Sequence, residues 1–464
     1  MHKNTQEITD LIIKAAEKAR KETSGEPEPG LTQPIEWPID CVVGPGLEGA
    51  IACESKIGYV NGTKGWLIYR GYDIFDLCIN STYEEVSYLL LHGEMPTSMQ
   101  AKVFRKKMNQ CFSIPKTLRL LLSFSIEKMH PMAILRLGLN LMRQEFTKAD
   151  LVDHKPSEDS IIATDADTIA MEFAPRGEKR AVFEFQKKKA EEKSKEAINS
   201  CYHLIGGAAA ITAAMNRIRL GHYPIESDPN LSFAANFIYM MTGKRPTPEE
   251  ERIMGISLIL HADHGMNAST FAAMVVASTL SDIYFSIGAG TAALSGPLHG
   301  GANEQVIHML KEIGSVDNVK PWFEKARKEK RKISGFGHRV YKAYDPRARI
   351  LFPLAKYLAK KNKEYGPLFK IAQALEKEVV TSFGKEKKIF PNVDFYSGIV
   401  YHVLGIPAEM FTPIFTVSRV AGWTSRVNEY LENNRIFRPR AMYVGPFNKQ
   451  YVSLQKRKKC TKEI

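Results

Sequence analysis

Residues 334–349 read SGFGHRVYKAYDPRAR, and the interpretation of the whole chain turns on them. Gly335 and Gly337 flank Phe336, so the backbone there can take φ > 0 and approach a ligand closely. His338 follows at once. Asp345-Pro346 then breaks the chain, because the residue before a proline is pushed out of the α region. Arg347 comes next. A side chain that titrates near neutrality and a planar fork suited to carboxylates therefore lie close together, both expected on loops. Taken alone, the stretch is equally a glycine turn with a surface histidine and an arginine at a helix start.

Outward from this stretch the chain reads as helix after helix. Lys56–Val60 meets Asn61-Gly62, a two-residue hairpin signal, with a partner strand at Trp66–Tyr69; strand patterns then nearly vanish. Thr82-Tyr83-Glu84-Glu85 is a capping box before an apolar run that Gly93 closes. Further helices are expected over Lys102–Gln110, Pro115–His130, Met132–Arg143, 201–222, Leu231–Met241, Pro248–His261 and Val417–Leu431. Residues 1–40 read as a charged helix and a Pro/Glu linker, a mobile arm. The charged stretch near 145–197 carries a Lys/Glu run with the look of a solvated helix face. Its role is not legible in the sequence.

Composition bounds the function. The 464 residues, with 44% hydrophobic and 25% charged side chains, describe an ordinary globular protein with a substantial core. The net charge of +13 is dispersed in local runs such as 325–332 and 456–459, with no nucleic-acid recognition motif beside them. No nucleic-acid partner is expected; the positive field suits polyanionic small molecules. Six scattered cysteines without a CxxC pair suit reduced thiols. The opening residues show no secretory pattern, and Glu7, Asp10 and Glu17 make a poor mitochondrial leader, so a cytoplasmic protein is expected. Phe271–Leu294 is apolar, but Asp282 and its small residues point to a buried helix pair, with no membrane partner.

Four more constellations could do chemistry. His261, Asp263 and His264 place two imidazoles three apart around an acid, a spacing open to a metal or to a core pair. Gly288-Ala289-Gly290 superficially matches a dinucleotide fingerprint, yet no strand precedes it, which favours helix packing. Pro297-Leu298-His299-Gly300-Gly301 starts a helix, where the positive dipole end would keep His299 neutral and able to donate a hydrogen bond. Asp394, after Pro391 and before an apolar helix, has the place of a helix N-cap. Arg419 and Arg438 each offer a guanidinium.

Gly-aromatic-Gly-His followed by Asp-Pro-Arg resembles the signature of citrate synthases. Arg70-Gly71-Tyr72 through Gly93 to Pro96, Pro297–Gly301 and Asp394 resemble other phrases of that family, in family order over about 45–445. The resemblance is to the bacterial type. It implies a mostly α-helical, two-domain fold with a short N-terminal β-hairpin. A large helical domain would span 41–300 and a small domain 301–405, with a return to the large domain at 406–450 and a basic tail at 451–464. It implies condensation of acetyl-CoA with oxaloacetate and thioester hydrolysis, with no metal or other cofactor. His299, His338 and Asp394 would be catalytic; His264, Arg347, Arg419 and Arg438 would bind oxaloacetate. The family forms homodimers, and the arginine matching Arg438 reaches the neighbouring subunit's site. Methylcitrate synthesis from propionyl-CoA is the neighbouring reaction, since one methylene is worth only about 1–3 kcal/mol. A non-catalytic or metal-binding helical protein is the alternative of a different class.

Overall fold

The computed structural model describes residues 3–26, 39, 43–112, 126–145, 190–362, 364–441, and beyond them 444–446, 450, 451, 453 and 455. The linker expected from Pro27, the 115–125 part of the helix expected over Pro115–His130, the 146–189 part of the charged segment and the 456–459 lysine run lie outside the described residues.

The chain is mostly helical, as expected, with one small sheet. Strands β1 (Gly58–Asn61), β2 (Trp66–Tyr69) and β3 (Tyr72–Asp73) are antiparallel in that order. Asn61 pairs with Trp66, so the first turn spans four residues, not two. The Asn61 side chain explains the difference: its Oδ1 accepts the Thr63 and Lys64 backbone N–H groups and closes a wider turn. The third strand was not expected. Arg70 at φ +48° and Gly71 at φ +90° fold the chain straight back onto β2.

The helix Phe411–Glu432 is the spine of the larger helical layer. Every residue from Phe411 to Val427 is buried, as a helix wrapped on all sides must be. Around it pack Tyr83–His92, Ala190–Arg219, Pro248–His261, Ala268–Ser278 and Ile283–Leu294. The last two are the expected buried pair, packed against each other. Gly288 and Gly290 allow close approach, since a Cβ there would meet Asn140 and Trp423. Among the described residues no helix is long and apolar enough to cross a membrane.

A second group, Ala302–Ile313, Val319–Lys328, Pro346–Lys361, Gly366–Val379 and Val393–Val403, packs largely within itself. It meets the first group where Pro346–Lys361 touches Ile74–Asn80 and Pro248–His261, and where Ala302–Ile313 touches the spine. The N-terminal helix Lys3–Glu22 is not a free arm. Ile8, Ile12 and Ala16 form a buried stripe at four-residue spacing, packed on Pro346–Lys361, Pro248–His261 and Ile74–Asn80.

Candidate active site

The stretch around His338 is tied directly to the helix that carries Asp394. Gly335 (φ +81°) and Gly337 (φ +78°) take the conformation that only glycine adopts cheaply. A Cβ on Gly335 would also strike Phe395 and Val306 at under 3 Å. This lets the turn press onto 390–392: Gly337 N donates to Phe390 O at 2.9 Å, and Asn392 N to Gly335 O at 2.9 Å. The Asn392 amide donates to Gly337 O at 3.0 Å, while its Oδ1 accepts the Asp394 N–H and caps the helix. Asp394 is therefore not the cap. It stands in the first helical turn, 9% exposed, and its buried Oδ1 has no hydrogen-bond partner among the described residues. Burial is the main cause of its pKa rising to about 7, with Arg347 opposing.

His338 Nδ1 accepts the backbone N–H groups of Val340 (3.0 Å) and Tyr341 (3.2 Å). Backbone donors have fixed direction, so the neutral ring must carry its proton on Nε2, ready to donate. Burial lowers its pKa to about 4, so the ring is neutral at pH 7. His264 lies against it, ring centroids 5.1 Å apart, and meets the Tyr341 hydroxyl at 3.2 Å through Nε2. Burial, then Arg347, lowers the His264 pKa well below the ordinary value.

His299 sits in the turn before Ala302–Ile313, within contact of the start of the Ala268–Ser278 helix. Its Nε2 accepts the Ser269 backbone N–H at 3.2 Å and lies 2.8 Å from Ser269 Oγ. The proton of the neutral ring is thus on Nδ1. Its pKa is lowered to about 4. Burial is the main cause, and the Arg419 charge adds to it.

Arg347 was expected on a loop. Instead Asp345 caps the Pro346–Lys361 helix and Arg347 is in its first turn, 3% exposed. Its fork grips Asp345, Nε to Oδ1 at 3.0 Å and Nη2 to Oδ2 at 2.8 Å. Although burial opposes ionisation of Asp345, Arg347 holds its carboxyl below the usual range. Arg419, on the spine helix, is 1% exposed. Its Nε donates to His261 O at 2.5 Å, and its buried Nη2 has no partner among the described residues. Burial lowers its pKa to about 10. Its charge acts on His264, His299 and Asp394 alike.

The His261–His264 cluster does not share a helix face, because the helix ends at His261. His261 Nδ1 bonds to Ser257 O at 2.7 Å, and Asp263 is forked by Arg426 (2.7 and 2.8 Å). Both are committed to the core. Among the described residues no group of three His, Cys, Asp or Glu is arranged to hold a metal. Arg438 lies exposed on the extended segment after the spine helix. Sequence reasoning missed Tyr341, Asp345 as the Arg347 partner, Ser269 and Asn392. Asp345 was read only as a helix break, although an acid two residues before an arginine at a helix start is itself a signal.

The comparisons with known proteins agree in kind. Residues 46–440 match the family model described as citrate synthase, C-terminal domain. A citrate synthase of Synechocystis is 39% identical over 414 residues, covering 89% of this chain and 93% of its own. Citrate synthase 2 of Bacillus subtilis is 39% identical over 413 residues, 89% of this chain and 98% of its own. The crystal structure of citrate synthase from Pyrobaculum aerophilum superposes with a TM-score of 0.76 at 39% identity, over 92% of this chain and all of that one. That from Thermoplasma acidophilum, a ternary complex with carboxymethyl coenzyme A and oxaloacetate, gives 0.75 at 32% identity, over 88% and 97%.

Proposed function

The chain belongs to the citrate synthase family, acyltransferases that join acetyl-CoA to oxaloacetate and release citrate and coenzyme A, and we propose that Asp394, His299 and His338 carry that reaction here. The observation that supports this most is Asp394, a buried carboxyl titrating at about 7 with an uncommitted oxygen. A base poised near the working pH combines the right protonation state with driving force for proton transfer.

Asp394 removes a proton from the thioester methyl group. As the enolate forms, charge builds on the thioester oxygen, and the Nδ1–H of neutral His299 donates to it. His338, with its proton on Nε2, polarises the ketone of oxaloacetate and hands it that proton as the new C–C bond forms. His264 lines the same side. Arg347 and Arg419 neutralise and orient the carboxylates, which converts a collision of two anions into a positioned reaction. Water then cleaves the citryl thioester. The proton transfers and carboxylate binding are within the reach of these side chains, so the reaction calls for no further cofactor.

The relatives named citrate synthase favour acetyl-CoA over propionyl-CoA. The division into a 41–300 large domain, a 301–405 small domain and a 406–450 return has the support of the two helix groups meeting near Pro346–Lys361. A cytoplasmic homodimer in which Arg438 serves the neighbouring site completes the reading. Coenzyme A release with oxaloacetate, measured for acetyl-CoA and propionyl-CoA in parallel, tests it. Release with neither acyl donor would overturn the assignment, and a higher kcat/KM for propionyl-CoA would redirect it.

A further inference from the structure

Glu376 lies on the Gly366–Val379 helix, outside every motif described above. Each of its carboxylate oxygens accepts a phenol: Oε1 from Tyr344 at 2.5 Å, and Oε2 from Tyr396. The two tyrosines belong to different segments, and each adjoins a residue of the site. Tyr344 immediately precedes Asp345, which forks Arg347. Tyr396 stands two residues beyond Asp394 on the same helix, fully buried against Phe352 and Phe395. Burial, reinforced by Glu376, lifts both phenols well above their ordinary pKa, so they stay protonated and donate. The Arg349 guanidinium covers the Tyr344 ring at 4.4 Å and fixes its plane.

We infer that Glu376 is a positioning residue for the condensation, holding the Arg347 segment through Tyr344 and the Asp394 helix through Tyr396. One carboxylate thereby sets the spacing between the group that grips oxaloacetate and the group that takes the proton. A misplacement of about 1 Å at either end costs rate out of proportion to stability. The inference rests on the roles proposed above for Arg347 and Asp394. Glu376 and Tyr344 also form part of the wall of a cavity of about 280 Å³ beneath the N-terminal helix.

The test uses Tyr344→Phe, Tyr396→Phe and Glu376→Gln in the full-length chain, with steady-state coenzyme A release and thermal melting on the same samples. Positioning separates along the two arms. Tyr344→Phe should raise KM for oxaloacetate about tenfold with kcat within about twofold. Tyr396→Phe should lower kcat about tenfold with that KM nearly unchanged. Glu376→Gln should do both. Melting shifts with kinetics intact, or parallel loss of both parameters in all three variants, would show a stabilising brace and overturn the inference. Should Glu376→Gln fail to fold, the two phenylalanine variants, each lacking a single hydroxyl, still decide. Asp394→Asn and Arg347→Lys serve as controls. If they turn over normally, the role assignments fail; if they behave as assigned and the tyrosine arms do not split, the Glu376 inference fails alone.

Discussion

The backbone N–H of Asn392 donates to the carbonyl of Gly335 at 2.9 Å, joining the turn that leads into His338 to the turn that starts the Asp394 helix. The Asn392 side chain doubles the connection, reaching Gly337 O with its amide and the Asp394 N–H with its oxygen. The proton donor and the proton acceptor of the proposed reaction are thus braced on one asparagine. Asn392→Ala removes the cap and the strap together. Loss of a cap costs about 1 kcal/mol, which chemical denaturation would register. The expected kinetic effect is larger than that cost suggests: kcat down by about tenfold or more, because two reacting groups lose their common reference. Asn392→Asp, which keeps the cap but not the amide donor, should recover the stability and not the rate. Equal recovery of both would reduce Asn392 to a helix cap.

The pH dependence separates Asp394 from the histidines. Only its carboxylate can take the methyl proton, so kcat/KM should fall below about pH 7, where the buried carboxyl titrates. His299 and His338, lowered to about 4, impose no limb there. Stability moves the other way for Asp394. Between the ordinary 3.8 and about 7 the folded chain keeps a proton the unfolded chain has lost, so its contribution fades as pH rises through that window. Asp394→Asn cannot ionise and should gain stability over wild type from about pH 5 to about pH 8, while turnover drops by ~10²–10⁴. The two histidines contribute in full above 6.5, and that contribution is lost as pH falls towards about 4. A rate profile flat down to about pH 5 would remove Asp394 as the base.

What was legible in the sequence follows from how local the physics is. The Thr82 capping box and the Pro248–His261 helix depend on neighbours within a few residues, and both stand as read. Gly335 and Gly337 take the positive φ that the sequence announces, but the close approach is made by Gly335 alone and to Phe395 and Val306 of the protein, which no local pattern identifies. The Asp345–Arg347 fork depends on burial, which no pattern of two residues reveals. Glu376 is less legible still, since its two phenol partners lie 32 and 20 residues away. The N-terminal helix reads as part of a mobile arm although the helical periodicity of Ile8, Leu11, Ile12 and Ala15 is visible, because a stripe does not reveal which distant helices will cover it.

Arg419 offers a trade between stability and binding. A guanidinium so deeply buried, with Nη2 unpartnered among the described residues, is a cost that the free protein carries. Burial already depresses its pKa to about 10. Arg419→Met keeps much of the volume beside Phe415 and discards the charge. The melting temperature without substrate should stay level or rise, while KM for oxaloacetate should climb by at least about a hundredfold. The stabilisation of wild type by added oxaloacetate should vanish in the variant. A variant that melts early and still binds oxaloacetate would mean that Arg419 serves the core and not the site.

Of the residues proposed for the site, Arg438 alone is exposed. It follows Phe437, which stacks on Tyr430 at 4.8 Å and meets Phe271 edge-on, so the segment is anchored while the guanidinium projects outward. An anchored but outward-facing arginine fits a role in a neighbouring subunit, where it would grip a carboxylate of that site's oxaloacetate. Each site would then be assembled from two chains. Mixed dimers of an Arg438→Ala chain and an Asp394→Asn chain test this, each variant being weak or inactive alone. In the heterodimer, one site would carry both lesions and the other neither, so about half the wild-type activity per dimer should return. If Arg438 instead acts within its own chain, every site in the heterodimer holds one lesion and mixing restores nothing. That result would end the shared-site proposal, and the assignment of the base to Asp394 would stand unchanged.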